Sequence, residues 1–306
     1  MTARPPRNIP ASIRARLLAY AKGRGEPFQR TLTRYAIERL LFRLASTEAV
    51  ERYVLKGAML FVTWPEQADR PTGDLDLLGH GDPDPEAVRA LFARICAVDA
   101  PEDGLVFDPA TLRVEAVREV DRYQGVQLSL RAELAGAVIP VQVDIGFGDH
   151  VHPAPRRQVF PSLLPDLPAA TLLMYPPETV IAEKFEAMIR FGEANGRIKD
   201  FYDIWVTIRT FDMDLSHVVE AVGGTLRRRE TAVPDASPVG LTAAFAAIAD
   251  ARGLWAGFLR RSPPALEPPS FPEVQAELRR FFDPVLAALA TPEGVRGRWS
   301  PTAGWR

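Results

Sequence analysis

Residues 126–134 alternate without interruption. Val126, Leu128, Leu130, Ala132 and Leu134 fall on one side, and Gln127, Ser129, Arg131 and Glu133 on the other. In extended backbone, successive side chains point to opposite faces, so this stretch reads as a strand with one buried and one wet face. Residues 138–147 form a second strand, with Val141, Val143, Ile145 and Phe147 on a single face, and residues 112–117 a third. Helical spacing flanks these strands. Ile13, Leu17, Leu18 and Tyr20 recur early, followed after a loop at 23–27 by Leu32, Ile37, Leu40, Leu41 and Leu44. Pro83 or Pro85 can open a helix running to about residue 98. Beyond about residue 165 the pattern is helical again, over 178–191, 197–210, 241–259 and 272–289, with a proline-rich joint at 263–272. The tail beyond Pro292 is poor in apolar residues and is expected to fray. The expected architecture is α+β: helices and a small mixed sheet over 1–165, then a helical domain over 166–306.

A chain of 306 residues, 47% apolar and 25% charged, can bury a core without covalent staples. Its single cysteine, Cys96, leaves no internal disulfide and no cysteine-rich metal site, which fits a reducing, cytoplasmic setting. No secretory signal opens it, and no apolar run is long enough to cross a bilayer. The formal net charge of −2 gives no global attraction to nucleic acid. Any RNA contact must rest on local groups such as Arg156-Arg157, Arg227-Arg228-Arg229 or Arg260-Arg261, each of which also reads as solvated surface. Only four of the 37 basic residues are lysines, namely Lys22, Lys56, Lys184 and Lys199. A lysine kept in so arginine-rich a chain suggests a place for a compact ammonium.

The chemistry centres on Gly73-Asp74-Leu75-Asp76-Leu77-Leu78. On a strand, Asp74 and Asp76 share one face and Leu75 and Leu77 the other. Two carboxylates so close repel unless a cation sits between them, and hard oxygen ligands suit Mg²⁺. The plainer alternative is a pair of solvated acids at a strand edge. A second strand, Val141-Gln142-Val143-Asp144-Ile145, carries Asp144 on the face opposite its apolar residues. If the two strands are neighbours, Asp74, Asp76 and Asp144 meet and can hold two metal ions for an in-line phosphoryl displacement. Asp144 alone also reads as a strand-end aspartate bonded to a turn.

Three further motifs surround this core. Lys56-Gly57-Ala58 reads as a turn whose glycine allows close backbone approach to a phosphate, or as a structural turn only. In Glu178-Thr179-Val180-Ile181-Ala182-Glu183-Lys184-Phe185, Lys184 lies beside an apolar helical stripe. From there it can meet phosphates as a point charge or pair with a nearby acid. Lys199-Asp200-Phe201-Tyr202-Asp203-Ile204 sets Asp200 and Asp203 on one helix face. That helix can hold Lys184 in place, or Lys199 and Asp203 can simply pair.

Taken in order, the chain resembles the AbiEii/AbiGii toxin family of nucleotidyltransferases. The matching stretches are Arg39-Leu40-Leu41-Phe42-Arg43-Leu44, Val54-Leu55-Lys56-Gly57-Ala58-Met59-Leu60, Arg70-Pro71-Thr72-Gly73-Asp74-Leu75-Asp76-Leu77-Leu78, Val143-Asp144-Ile145-Gly146, the Lys184 motif, and Arg197-Ile198 running into the Lys199 motif. The resemblance implies a polymerase-β-like nucleotidyltransferase fold, a mixed sheet with flanking helices and a helical C-terminal half. It implies NTP as substrate, Mg²⁺ as cofactor with two ions accommodated, and a cognate antitoxin as partner. Some members of the family add nucleotides to the 3′ end of tRNA, which makes tRNA the expected acceptor, and no membrane role is implied. Carried over by position, Asp74, Asp76 and Asp144 are the metal ligands, and Lys184 and Asp203 complete the catalytic set. Lys56, Gly57, Lys184 and Asp200 form the nucleotide-binding set. Ala58 and Gly73 depart from the family pattern, which often has glycine or serine at the first and a basic residue at the second. A protein or small molecule is the alternative acceptor, and a catalytically silent binding module the alternative of a different class.

Overall fold

The computed structural model describes residues 8–64, 72–119, 123–291 and 295–306. Arg70 and Pro71 of the expected turn lie outside the described residues. The chain forms two compact units. The first comprises Met1–Met59, Thr72–Gly148 and Arg157–Met174, and the second Leu60–Pro71, Asp149–Arg156 and Tyr175–Arg306.

In the first unit, α1 (Ile9–Arg24) starts where Asn8 accepts from the Ala11 N–H and stops at Gly25, whose φ of 65° is left-handed. Helix α2 (Phe28–Ala45) follows, then β1 (Tyr53–Lys56), β2 (Asp74–Gly79), α3 (Pro85–Cys96), β3 (Val106–Glu119), β4 (Tyr123–Leu134), β5 (Ala137–Phe147), β6 (Arg156–Phe160) and β7 (Ala170–Met174). The strands make one mixed sheet in the order β3-β4-β5-β2-β1-β7-β6. β2 runs parallel to β5, and β1 parallel to β7, while β1 and β2 are antiparallel. The apolar face carries Leu75, Leu77, Leu128, Val143 and Ile145, all buried. The three strands expected from alternation are β3, β4 and β5. β7 falls in a stretch expected to be helical; at five residues it is too short for its period to show.

Helix α2 buries charge as well as hydrocarbon. Arg43 grips Asp103 with two nitrogens, Nη1 to Oδ2 at 2.6 Å and Nη2 to Oδ1 at 3.2 Å. Glu38 accepts from the Leu163 N–H at 2.8 Å and the Ser162 hydroxyl at 2.6 Å, and Arg39 Nη2 donates to it at 2.7 Å. These bonds tie the helix to the turn before β3 and to the loop after β6. Pairing of this kind offsets the cost of burying the ions, although, among the described residues, Arg39 Nε and Nη1 and Arg43 Nε remain without a hydrogen-bond partner.

The second unit contains α4 (Pro177–Phe191), α5 (Ile198–Thr210), β8 (Met213–Asp214), α6 (Leu215–Arg228), α7 (Ala243–Ala251), α8 (Leu254–Arg261), α9 (Phe271–Ala290), β9 (Arg298–Ser300) and β10 (Gly304–Trp305). Aromatic rings build its core. Phe185 stacks on Phe282, and Phe201 packs against Phe245 and Phe271. The helix expected over 241–259 is broken into α7 and α8 at Gly253, where φ is +60°. Helix α6 was not among the expected helices, although Leu215, Val218, Val222 and Leu226 recur at helical spacing and are buried. Gly224 is required by packing, since a Cβ there would lie 2.1 Å from the His150 ring. The tail expected to fray is ordered instead: β9 pairs with β8 and β10. Trp299 donates its indole N–H to the Ile208 carbonyl and Trp305 to that of Phe281, so two tryptophans anchor a segment otherwise poor in apolar residues.

Candidate active site

In the first unit, sheet register brings the expected acids together. β2 lies between β1 and β5, and Asp76 stands opposite Asp144 on one side and Lys56 on the other. Asp74, two residues along, shares the face of Asp76 and stands opposite Gln142. Neighbouring strands run about 4.8 Å apart, so these carboxylates form one polar patch. The Asp144 carboxylate is oriented by two amides: Gln127 Nε2 donates to Oδ1 at 2.9 Å, and Gln142 Nε2 to Oδ2 at 3.2 Å. Neither glutamine was singled out from the sequence. The period of two marks both, because Gln142 shares Asp144's face and Gln127 occupies the polar side of β4.

Gly57 closes the patch. Its φ is +71°, and a Cβ built on it would fall 1.9 Å from Asp76 Oδ2. Glycine here makes room for the acid itself, a more specific demand than the backbone–phosphate approach expected from the turn. Gly57→Ala therefore imposes left-handed strain of about 1–2 kcal/mol and displaces the Asp76 carboxylate. We expect a folded variant whose nucleotide transfer falls by about 10²-fold, the scale set by displacing a reacting group about 1 Å. A circular dichroism melt beside a transfer assay checks this, and normal transfer in the variant would show that Asp76 need not stay where it is.

Among the described residues, no three His, Cys, Asp or Glu side chains are gathered closely enough to hold a metal ion. In kind, the donor set on this face suits a hard cation: Asp74, Asp76 and Asp144 are all carboxylates. Gln127 and Gln142 would hold Asp144 in place as it ligated such an ion.

The second unit holds the other expected residues. Lys184, on α4, donates to Asp200 Oδ1 at 3.0 Å and to Asp203 Oδ2 at 2.7 Å, both on α5. The carboxylates are buried, at 2% and 0% side-chain exposure. Arg197 Nε donates to the other Asp200 oxygen at 2.6 Å. Burial works against ionising Asp200, but the Lys184 ammonium and the Arg197 guanidinium outweigh it and hold the carboxyl below its usual range. The two carboxylates hold Lys184 in place.

Of the arginine groups, Arg229 is half-buried and donates to Glu186 Oε2 at 2.8 Å, with Asp149 and Glu183 close by. Arg227 pairs with Glu220, and Arg157 pairs with Glu51.

The comparisons with known proteins bear on this arrangement. The model of the family described as nucleotidyl transferase AbiEii toxin, type IV TA system, matches residues 39–277. The chain belongs to that family. It is a nucleotidyltransferase of the toxin class, with an NTP as substrate and an antitoxin as partner. A solved structure of a candidate nucleotidyltransferase from Helicobacter pylori superposes with a TM-score of 0.50 at 13% identity, covering 87% of this chain and 98% of that one. JHP933 from Helicobacter pylori gives 0.49 at 14% identity, covering 86% and 94%. At such identity the first likeness speaks for the fold alone, a mixed sheet with flanking helices. No curated protein matches the chain. No helix among the described residues is long and apolar enough to cross a membrane.

Proposed function

We propose that this AbiEii nucleotidyltransferase uses Mg²⁺ to transfer a nucleoside monophosphate from an NTP to the 3′ end of tRNA. One observation carries the catalytic part of the reading: Asp74, Asp76 and Asp144 occupy one face of two adjacent parallel strands, with Gly57 backed against the middle acid. In the reaction, the acceptor 3′ oxygen bonds to the α-phosphorus as the bond to the bridging oxygen breaks. Pyrophosphate leaves, and the hydroxyl proton passes to solvent. Mg²⁺ held by the three aspartates would neutralise the phosphate charge that builds up in such an in-line displacement. Gln127 and Gln142 orient Asp144, and Gly57 leaves Asp76 its space. Lys56, opposite Asp76 at the end of β1, faces the nucleotide. In the second unit, Lys184 is the candidate phosphate-binding cation, with Asp200 and Asp203 as its positioning residues.

A thermal-shift titration tests the nucleotide and metal parts. A ligand that binds only the folded state raises the melting temperature, so Mg²⁺ with the correct NTP should do so and EDTA should abolish the rise. No rise with any NTP in Mg²⁺ would count against this reading. Lys184→Ala separates two roles. Leaving buried Asp203 without its ammonium should cost about 3 kcal/mol. If Lys184 also meets phosphates, the NTP-induced shift shrinks as well, at a temperature where the variant is folded. Lys184→Arg should restore stability more than NTP affinity, since a planar fork does not replace a compact ammonium. Loss of stability with an undiminished NTP shift would reduce Lys184 to a structural residue.

A further inference from the structure

The strand row that starts at Asp74 runs away from the acids and ends on an arginine. Asp74 stands opposite Gln142, Gln142 opposite Ser129, and Ser129 opposite Arg113. Arg131, two residues from Ser129 on β4, projects from the same face. Along this row the sheet holds a concavity of about 570 Å³, lined in part by Asp74, Gln142, Ser129, Arg113 and Arg131.

Its far wall is an irregularity in β3. The pairing of β3 with β4 shifts register between Asp108 and Arg113, a bulge of the kind that re-aims side chains beside functional sites. Within it, Thr111 Oγ1 accepts from the Arg131 N–H at 2.9 Å. The Asp108 carboxylate turns back on its own loop and accepts from the Ala110 N–H at 3.0 Å. Arg113 Nη1 donates to the Ala110 and Leu112 carbonyls, both at 3.2 Å, which steadies the guanidinium. Neither Arg113 nor Arg131 has a carboxylate partner among the described residues, unlike Arg43, Arg157, Arg197, Arg227 and Arg229. Asp74 is the sole carboxylate lining the concavity among those residues, and no aromatic ring lines it.

We propose that this concavity binds the phosphodiester backbone of the acceptor strand, just behind its reacting 3′ end, through Arg113 and Arg131. The inference rests on the RNA-acceptor reading above. Guanidiniums and hydroxyls are common partners of phosphate oxygens, and no ring here offers a base a stacking platform. The side of the sheet follows from the chemistry. In an in-line displacement the attacking oxygen and the leaving pyrophosphate lie on opposite sides of the α-phosphorus. Lys56 and Gly57 stand on the β1 side of the acids, and Arg113 and Arg131 on the β4–β3 side. With the nucleotide phosphates on the first side, the acceptor backbone falls on the second.

The test uses unfractionated tRNA as probe, with wild type, Arg113→Ala/Arg131→Ala and Arg113→Lys/Arg131→Lys. Filter binding across a salt series, and steady-state transfer with tRNA or NTP varied in turn, give the readouts. The alanine pair should weaken tRNA binding and raise the KM for tRNA by about tenfold or more. It should also flatten the slope of log K against log salt by about 1.5, because two phosphate contacts are lost. The KM for NTP should not change. The lysine pair should keep most of the slope. Unchanged tRNA binding and slope in the alanine pair would overturn the assignment. So would a raised KM for NTP with tRNA binding intact, which would make the concavity a triphosphate seat. A wild-type protein that neither binds nor labels tRNA would overturn the acceptor reading, and this site with it.

Discussion

Asp76→Asn lowers nucleotide transfer by about 10³-fold or more, the scale on which removal of a preorganised charge-stabilising group is felt, and leaves the protein folded. Asp76 sits at the crossing of two relations: Asp144 stands opposite it on β5, and Asp74 shares its face on β2. Without a cation, three carboxylates so arranged repel, while Lys56 opposite Asp76 offsets part of that repulsion, so removing one charge leaves the metal-free fold near wild-type stability. With Mg²⁺ present the sign reverses. Wild type gains stability from the ion, and the variant gains less. Asp74→Asn should behave alike. Transfer at the wild-type rate in either variant, or an equal Mg²⁺-induced rise in all three proteins, would remove these acids from the metal site.

The second large effect is on stability alone. Asp103→Ala should cost about 3–5 kcal/mol, the cost of leaving a buried charge unpaired. That is a large part of the roughly 5–15 kcal/mol by which domains are stable. Asp103 is 1% exposed, and it binds both terminal nitrogens of Arg43 and the Leu105 N–H. The variant would leave Arg43 with only the carbonyls of Arg39 and Leu105. Urea unfolding measures the loss. A loss below about 1 kcal/mol would mean that Arg43 reaches water or a new partner. Because this pair lies off the acid face, transfer by the folded fraction should stay near wild type.

What the sequence disclosed followed from the length scale of each signal. The period of two runs through 126–134 and 141–147 and spans enough residues to fix both strands and the face of each side chain. Asp74, Asp76 and Asp144 could therefore be assigned to one face once their strands were neighbours. That adjacency is a long-range pairing, which no local pattern carries; it came instead through the resemblance. β6 and β7, five residues each, are too short to show a period. Helix α6 is legible in the spacing of Leu215, Val218, Val222 and Leu226; what no local pattern carries is the histidine, distant in sequence, that packs against Gly224. The tail was misjudged because its apolar residues are few, although two of them are large tryptophans. Arg229 reads as surface in a run of three arginines; only the fold reveals the acids that pair with it. For the same reason Gly57 was legible as a turn, but the carboxylate that makes it indispensable was not.

The central claim is that the aspartate face transfers a nucleotide to RNA. Its most direct test is incubation of the protein with unfractionated tRNA, Mg²⁺ and each α-³²P-labelled NTP in turn, beside Asp76→Asn. Label should enter tRNA from a preferred NTP and be removed by 3′ exonuclease. It should vanish with EDTA and in Asp76→Asn. Label entering protein instead of RNA, or entering tRNA equally well from Asp76→Asn, would contradict the account.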